Sequence, residues 1–190
     1  MNKQVNPIES SLRDSVSAIQ SVISLTPFIE KLANSMIETF DSGNKVLVIG
    51  NGGSAADAQH FAAEMVVRYK KNGAALPVIA LTTDTSILTA AGNDLDFSLI
   101  FSRQVEALGR RGDMLLAIST SGNSRNIHRV VEVANNLSLF TVGLTGKTGA
   151  QLAKLCQMVI KVPHTATSRI QEAHGAILHA ICEMVEGQKR

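Results

Sequence analysis

Short apolar runs alternate with longer amphipathic segments along most of this chain. The clearest run is Val46 to Ile49, in which no polar residue interrupts four large aliphatic ones. Such a run is typical of a buried parallel strand, whereas apolar residues at three- and four-residue steps are typical of a helix. The runs predict five strands, at 46–49, 77–81, 113–118, 139–144 and 158–162.

The segments between these runs predict helices, and Gly92-Asn93-Asp94 is predicted to interrupt one of them. Strands that alternate with helices form a parallel sheet covered on both faces. We therefore predict an α/β fold, a three-layer α/β/α sandwich around a five-stranded parallel sheet, in one domain over residues 1–190. One predicted helix begins at Ser54, and a separate one ends at Ala91. The other predicted helices cover 97–108, 127–134, 151–155 and 167–185.

Residues 11–40 are also helical in pattern but precede the first strand. Pro27 breaks the segment, and Thr26-Pro27 suits the start of a second helix. Residues 1–43 are therefore a helical extension of an α/β core at 44–190. The extension either covers the sheet or pairs with a neighbouring subunit. Its apolar stripe comprises Leu12, Val16, Ile19, Val22 and Ile23.

Composition narrows the class of protein. The net charge of +2 is too small to indicate binding to nucleic acid or to an anionic membrane, and aromatic residues are only 4% with no Trp. No apolar run approaches the ~20 residues of a membrane helix, and the N-terminus lacks the apolar core of a signal peptide. Two scattered cysteines fit a reducing compartment, so we expect a cytoplasmic protein.

The segment from Lys45 to Met65 carries the richest chemistry. Asn51-Gly52-Gly53 turns the chain after the first strand, and Ser54 is predicted to cap the helix that follows, with Asp57 in its first turn. His60 and Glu64 lie four residues apart, so both project from one helix face. This arrangement predicts an anion site with acid–base or metal chemistry beside it.

A second polar loop, Ser119-Thr120-Ser121-Gly122-Asn123-Ser124, follows the third predicted strand and precedes a helix. Hydroxyls and free backbone N–H groups at a helix N-terminus suit a phosphate. The alternative is a serine-rich turn with an N-cap. Both loops follow the carboxyl ends of strands, where ligands bind in such sheets.

Two other glycine patterns are weak. Gly50-x-Gly52-x-x-Ala55 loosely matches a dinucleotide fingerprint, but Asp84 lies about thirty residues beyond it rather than the expected ~20. Gly146-Lys147-Thr148 resembles the end of a P-loop without its first glycine, so a turn after the fourth strand is the better interpretation.

The last predicted helix adds polar residues. Gln171 and His179 lie within ~80° of each other on it, whereas His174 points away. His60, Glu64, Gln171 and His179 together form a plausible zinc set of two nitrogens and two oxygens, provided that the two helices meet. His128 and His164 have no partner pattern and are interpreted as structural.

The ordered set of motifs resembles the sugar isomerase (SIS) domain family, in particular its phosphoheptose isomerases. The matching segments run nearly end to end. They are Val-Ile-Gly-Asn-Gly-Gly-Ser, Gln-His-Phe-Ala-Ala-Glu, Gly-Asn-Asp, Ile-Ser-Thr-Ser-Gly-Asn-Ser, Gly-Leu-Thr-Gly and Ser-Arg-Ile-Gln-Glu-Ala-His.

The resemblance implies a flavodoxin-like sandwich, a homotetramer with active sites near subunit boundaries, and no nucleic-acid or membrane partner. It implies isomerisation of sedoheptulose 7-phosphate to D-glycero-D-manno-heptose 7-phosphate for the lipopolysaccharide core. Zinc, one ion per subunit, would be held by His60, Glu64, Gln171 and His179. Substrate contacts are expected at Asn51, Gly52, Gly53, Ser54, Glu64, Asn93, Asp94, Ser119, Thr120, Ser121, Ser124 and Gln171.

The catalytic residues are expected to be Glu64 as base and His179 as acid. Ser168 and Ala55 depart from some members, which have Asp and His there. Two alternatives are a relative that binds the replication initiator and a sugar-phosphate sensor without turnover. The initiator-binding pattern lacks the residues that match Glu64 and His179, so their presence favours the enzyme.

Overall fold

The apolar runs form the strands of a parallel sheet, and the amphipathic segments form the helices around it. The computed structural model describes residues 6–189. Single 3₁₀ turns lie at Val22–Leu25 and Phe97–Leu99. In chain order the other elements are α1 Pro7–Ser21, α2 Thr26–Asp41, β1 Val46–Gly50, α3 Gly53–Val66, β2 Val78–Ala80, α4 Thr85–Asp94, α5 Ser102–Leu108, β3 Met114–Ser119, α6 Arg125–Asn136, β4 Phe140–Thr145, α7 Leu152–Leu155, β5 Met158–Lys161 and α8 Thr167–Lys189.

The strand order in the sheet is β2-β1-β3-β4-β5, and every described pair is parallel. Val46 on β1 is in register with Val78 on β2 and with Met114 on β3. The order reverses between β1 and β3, because the chain leaves β1 first towards β2 and later towards β3. Ligands of open α/β sheets bind at such a reversal, beyond the carboxyl ends of the strands.

Alternate residues of the strands face two separate cores. Val46 and Val48 pack with α2, α3 and α8, whereas Leu47 and Ile49 pack with the layer formed by α4 to α7. The side-chain period of two along a strand requires this division, and burial on both faces explains the unbroken apolar runs. The predicted three-layer sandwich and five-stranded parallel sheet are confirmed.

Two details of the predicted helices were wrong. Gly92 does not interrupt α4, which continues to Asp94, because one glycine costs a helix only about 1 kcal/mol. The predicted helix over 97–108 is a 3₁₀ turn followed by α5, which begins at Ser102. The Ser98 backbone N–H donates a hydrogen bond to the Asp96 side chain, which caps the 3₁₀ turn. This cap makes the turn an element separate from α5.

The two helices of the N-terminal extension differ in how far they cover the core, and pairing with a neighbouring subunit stays a prediction. α2 covers the sheet, since Leu32, Ala33 and Met36 are fully buried. α1 and the 3₁₀ turn after it pack on α8 but leave most of the apolar stripe in solvent, with Val16 64% and Ile23 71% exposed. The predicted start of the second helix at Thr26-Pro27 is confirmed.

Among the helices of residues 6–189, none combines the length and the apolar character needed to cross a bilayer.

Candidate active site

A cleft of about 280 Å³ lies where the strand order reverses. The loops after β1 and β3 form two of its walls, so both predicted polar loops lie beyond the carboxyl ends of strands, as expected. The start of α8 forms a third wall. The lining residues are Asn51, Gly52, Gly53, Ser54, Ile118, Ser119, Thr120, Ser121, Ser124, Thr167 and Gln171.

Glycines set the shape of the first wall. Gly52 has a φ of 55°, a left-handed conformation that favours glycine, and it stands at the N-cap of α3. A Cβ on Gly53 would lie 2.3 Å from Nε2 of Gln171, so the absence of a side chain lets the Gln171 amide approach the turn. The prediction that Ser54 caps the helix was wrong. α3 begins at Gly53, so Ser54 is already helical and 3% exposed.

The amide of Asn51 is tied to a second helix. Its Nδ2 donates to Oδ1 of Asn126 at 2.9 Å, and Nδ2 of Asn126 donates back to its Oδ1 at 2.8 Å. Asn126 is 3% exposed and lies in the first turn of α6. This pair holds the glycine turn against α6. Sequence reasoning missed Asn126 because its partner lies 75 residues away.

Hydrogen bonds at Gly122 hold the serine loop in place and leave several of its hydroxyl groups free to donate. The Gly122 N–H donates to Ser119 Oγ at 3.2 Å, and His128 Nε2 lies 2.8 Å from the Gly122 carbonyl oxygen. Ser124 stands at the N-cap position of α6 but makes no side-chain capping bond. Ser124 therefore does not cap α6, which was the alternative interpretation of the loop. His128 is structural, as predicted.

Three helix N-termini converge on this cleft. Gly53 begins α3, Ser124 precedes α6, and Thr167 begins α8. Each terminus presents the positive end of a helix dipole and the first backbone N–H groups of its helix, which have no partner within that helix. An anion is the expected ligand of such an arrangement. The sequence predicted the first two termini and missed the third, since nothing local places Thr167 here.

Two turns further along α3 and α8, a second group of side chains meets. His60 Nε2 lies 3.1 Å from Glu64 Oε1, and His179 Nε2 lies 4.0 Å from Glu64 Oε2. The two imidazole rings are 5.1 Å apart between centroids and nearly perpendicular. One donor atom from each residue lies within 4.8 Å of the others. The condition that α3 and α8 meet is thus satisfied within one protomer.

This group combines a buried carboxylate oxygen with exposed imidazole rings. The carboxylate oxygen Glu64 Oε2 is buried without a hydrogen-bond partner, although both imidazoles are largely exposed. Asp57 Oδ2, which lines the same small pocket, is also buried and unpartnered. Burial raises the pKa of Asp57, and the nearby His60 opposes this rise. Asp57 lies in the second turn of α3 rather than its first, because the helix starts at Gly53.

Other predicted residues lie elsewhere. Gln171 lines the anion cleft. Asn93 and Asp94 are exposed at the end of α4, where the Asn93 amide donates to Asp94 at 2.7 Å, and they line neither site. His174 is fully buried, and burial lowers its pKa to about 4 although the Thr145 backbone carbonyl acts in the opposite direction, so it is neutral.

The remaining two patterns are structural. His164 Nδ1 accepts from the Ala166 N–H, and Gly146 lies in a turn after β4. A Cβ on Gly146 would meet the Thr120 carbonyl oxygen at 2.7 Å, so close packing explains this glycine without a nucleotide.

Comparison with known proteins decides the family. A model of the SIS domain matches residues 12–146. A phosphoheptose isomerase from Helicobacter hepaticus is 46% identical over 181 residues, which cover 95% of this chain and 92% of that protein. This chain belongs to the phosphoheptose isomerase family of SIS domain proteins.

Solved structures agree with this assignment. Phosphoheptose isomerase GmhA from Neisseria gonorrhoeae superposes with a TM-score of 0.89 at 42% identity, covering 95% of this chain and 97% of its own. The phosphoheptose isomerase from Francisella tularensis gives a TM-score of 0.91 at 38% identity, with 95% and 96% covered. The flavodoxin-like SIS fold implied by the motifs is confirmed, and the chain is an isomerase by family.

Proposed function

We propose that this phosphoheptose isomerase family member converts D-sedoheptulose 7-phosphate into D-glycero-D-manno-heptose 7-phosphate, an aldose–ketose isomerisation that supplies heptose for the lipopolysaccharide core. One observation carries the proposal. The anion cleft and the carboxylate–imidazole group lie on the same pair of helices, α3 and α8, which pack against each other. The names of the relatives support the substrate class.

The spacing between the two groups fits a long sugar phosphate. His60 follows Gly53 by seven residues and His179 follows Gln171 by eight, so both imidazoles lie about 11 Å along the helices from the cleft. An extended chain advances about 3.5 Å for every three bonds, so the eight bonds from C1 to the phosphorus of a heptose 7-phosphate span about 9 Å. With its phosphate in the cleft, the sugar would extend C1 and C2 towards the imidazoles and towards the Glu64 carboxylate that lies beside His60.

The cleft would bind the phosphate by backbone N–H groups and hydroxyls. The three helix N-termini supply positive potential without a lysine, and the hydroxyls of the serine loop supply further donors. Binding there fixes the open-chain ketose with its carbonyl end towards Glu64, which converts proton transfer into an intramolecular step.

Proton transfer is then assigned to Glu64 and His179. Glu64 removes the proton from C1, and the C–H electrons form the C1=C2 double bond of a cis-enediolate. His179 protonates the oxygen on C2 as that carbonyl is reduced. The proton then passes from Glu64 to C2, and the hydroxyl on C1 gives its proton to His179 as it becomes the aldehyde, which restores both residues to their starting forms. Each transfer needs a group within hydrogen-bond reach of the reacting atom.

Zinc is the proposed cofactor, and the residues present fit it. Glu64 Oε2 is a buried acceptor without a partner, and His60 and His179 each offer a nitrogen beside it. Gln171 is the fourth ligand that the family resemblance implies, but in this protomer it lines the cleft about 11 Å along α8 from His179, so it would complete the set only from a neighbouring subunit. When bound, zinc supplies a Lewis acid that polarises the substrate carbonyl. A nitrogen of His179 that ligates zinc cannot also carry a proton, so zinc dependence would reassign the acid role.

The test is direct turnover. Purified protein is incubated with sedoheptulose 7-phosphate, with and without a chelator, and the aldose product is measured. We expect product without chelator and loss of product after zinc removal, restored by added zinc. Turnover that resists chelation would assign the chemistry to Glu64 and His179 alone. Ligand-induced stabilisation with no product under any condition would overturn the isomerase and favour a sensor.

Self-association is the second part of the proposal, and the state we expect is a homotetramer. The exposed stripe of α1 continues into a groove lined by Ile19, Ile23 and Ile29 on one side and Met184 of α8 on the other. A contiguous apolar surface of this kind is typical of an interface. We expect Val16→Asp to lower the mass measured by light scattering, whereas a wild-type protein that is already monomeric would contradict the proposal. The cytoplasmic location stays a prediction.

A further inference from the structure

A buried carboxylate holds the loop that follows α3. Glu186 on α8 is 4% exposed, and its Oε1 accepts the backbone N–H groups of Tyr69 at 3.1 Å, Lys70 at 3.0 Å and Lys71 at 2.9 Å. Its Oε2 accepts from Lys70 again at 3.0 Å. Successive backbone N–H groups that point inwards make an anion-binding concavity, and here the anion is a side chain of the same protein.

The loop that Glu186 holds presents one aromatic ring to the proposed reaction centre. The Tyr69 ring stacks on the His179 imidazole, with centroids 5.8 Å apart and an angle of 25° between the planes. The His60 ring meets the same imidazole edge-on at 5.1 Å. His179 is therefore bounded by a ring face and by a perpendicular imidazole, although 46% of its side chain is exposed.

Glu186 and His179 are also related by their spacing on α8. Glu186 follows His179 by seven residues, so about two turns of α8 separate them and they project from nearly the same face. α8 thus supplies both the imidazole and the carboxylate that holds the ring against it. A half-exposed imidazole without such support would sample other rotamers at the cost of its orientation.

We propose that Glu186 is a positioning residue, which fixes the orientation of His179 through the 69–71 loop and the ring of Tyr69. The inference rests on the proposed function, because it gives His179 a role in catalysis or in zinc binding. Groups that support a ligand from behind are worth about 10- to 100-fold in affinity or activity. The ring of Tyr69, rather than its hydroxyl, is the part that acts.

The test uses single variants and their combination. Tyr69→Leu and Glu186→Gln are each expected to lower kcat for sedoheptulose 7-phosphate about tenfold and to weaken zinc binding by a similar factor, with KM within about twofold. Tyr69→Phe keeps the ring and is expected to match the wild type. The double variant is expected to lose no more than Tyr69→Leu alone, because both changes act through one contact.

The matched control is Glu183→Gln. Glu183 lies on the same helix and pairs with Lys70 Nζ at 2.7 Å, but both side chains are more than half exposed. An exposed pair contributes little, so we expect no change in kcat. If Glu186→Gln does not fold, Glu186→Asp is measured instead. Asp keeps the negative charge, but its side chain is one methylene shorter and places the carboxylate further from the loop.

The outcomes separate this inference from the proposed function. The ring-proton shifts of His179, read by NMR, report the Tyr69 ring current without any turnover. We expect Glu186→Gln to move them towards the Tyr69→Leu values. Unchanged shifts, or losses that multiply in the double variant, would overturn the inference. A lower melting temperature with unaltered kcat and zinc affinity would show a purely structural role. Absence of turnover in the wild type would instead overturn the proposed function.

Discussion

Glu64→Gln is expected to lower kcat by about three orders of magnitude while the protein keeps its fold. The amide has the shape of the carboxylate but cannot take a proton from C1. Little structure depends on the charge, because Glu64 Oε2 has no hydrogen-bond partner and Oε1 bonds only the exposed His60 among the described contacts. Kinetics on the purified variant, together with its melting temperature, measure both quantities.

Glu172→Gln is the control for this prediction. Glu172 also has a buried, unpartnered carboxylate oxygen, but its other oxygen pairs with Arg169 at 3.2 Å. It is expected to keep kcat near the wild-type value. Near-wild-type turnover by Glu64→Gln would contradict the assignment of Glu64 as the base.

Gly50→Ala is expected to raise KM for the phosphorylated sugar at least about tenfold and to lower the melting temperature. The added Cβ would lie 2.4 Å from the carbonyl oxygen of Ser54 and 2.6 Å from its carbonyl carbon. These are backbone atoms, so α3 must move away from β1 rather than a side chain turning aside. The turn at Gly52 and Gly53, which lines the cleft, would then be displaced from it.

Gly187→Ala is the matched control, because a Cβ there meets no atom within 4 Å. Gly187 lies in the last turn of α8, so this change is expected to stabilise the protein by at most about 1 kcal/mol and to leave KM unaltered. The measurements are KM for sedoheptulose 7-phosphate and inhibition by inorganic phosphate. Equal KM values for both glycine variants would show that the first turn of α3 does not bind the phosphate.

The layered fold was predictable because its signal is local. Val46 to Ile49 is apolar on both faces, and such a run has few options other than a covered strand. The errors arose where two local signals competed. Ser54 is a good capping residue, yet Gly52 takes the cap position because its positive φ lets the chain turn sooner.

The candidate site was predictable only in part. The spacing of His60 and Glu64 places them together on any helix, and the resemblance named their partners on α8. Tyr69 and Glu186 carry no such signal, since the hydrogen bond between them spans 117 residues. The same holds for Asn51 with Asn126 and for Thr167 at the cleft. Contacts of this kind come from tertiary packing, which no local period records.

The convergence of three helix ends has an evolutionary consequence. If the cleft binds the phosphate as proposed, much of its attraction comes from the main chain, and removal of one polar side chain abolishes neither a helix dipole nor a row of peptide N–H groups. A descendant that lost its carboxylate at position 64 would still capture the sugar and merely cease to transform it. A single codon change would then convert the enzyme into a sugar-phosphate-binding protein. Such an inactive variant could be used to capture the unreacted substrate.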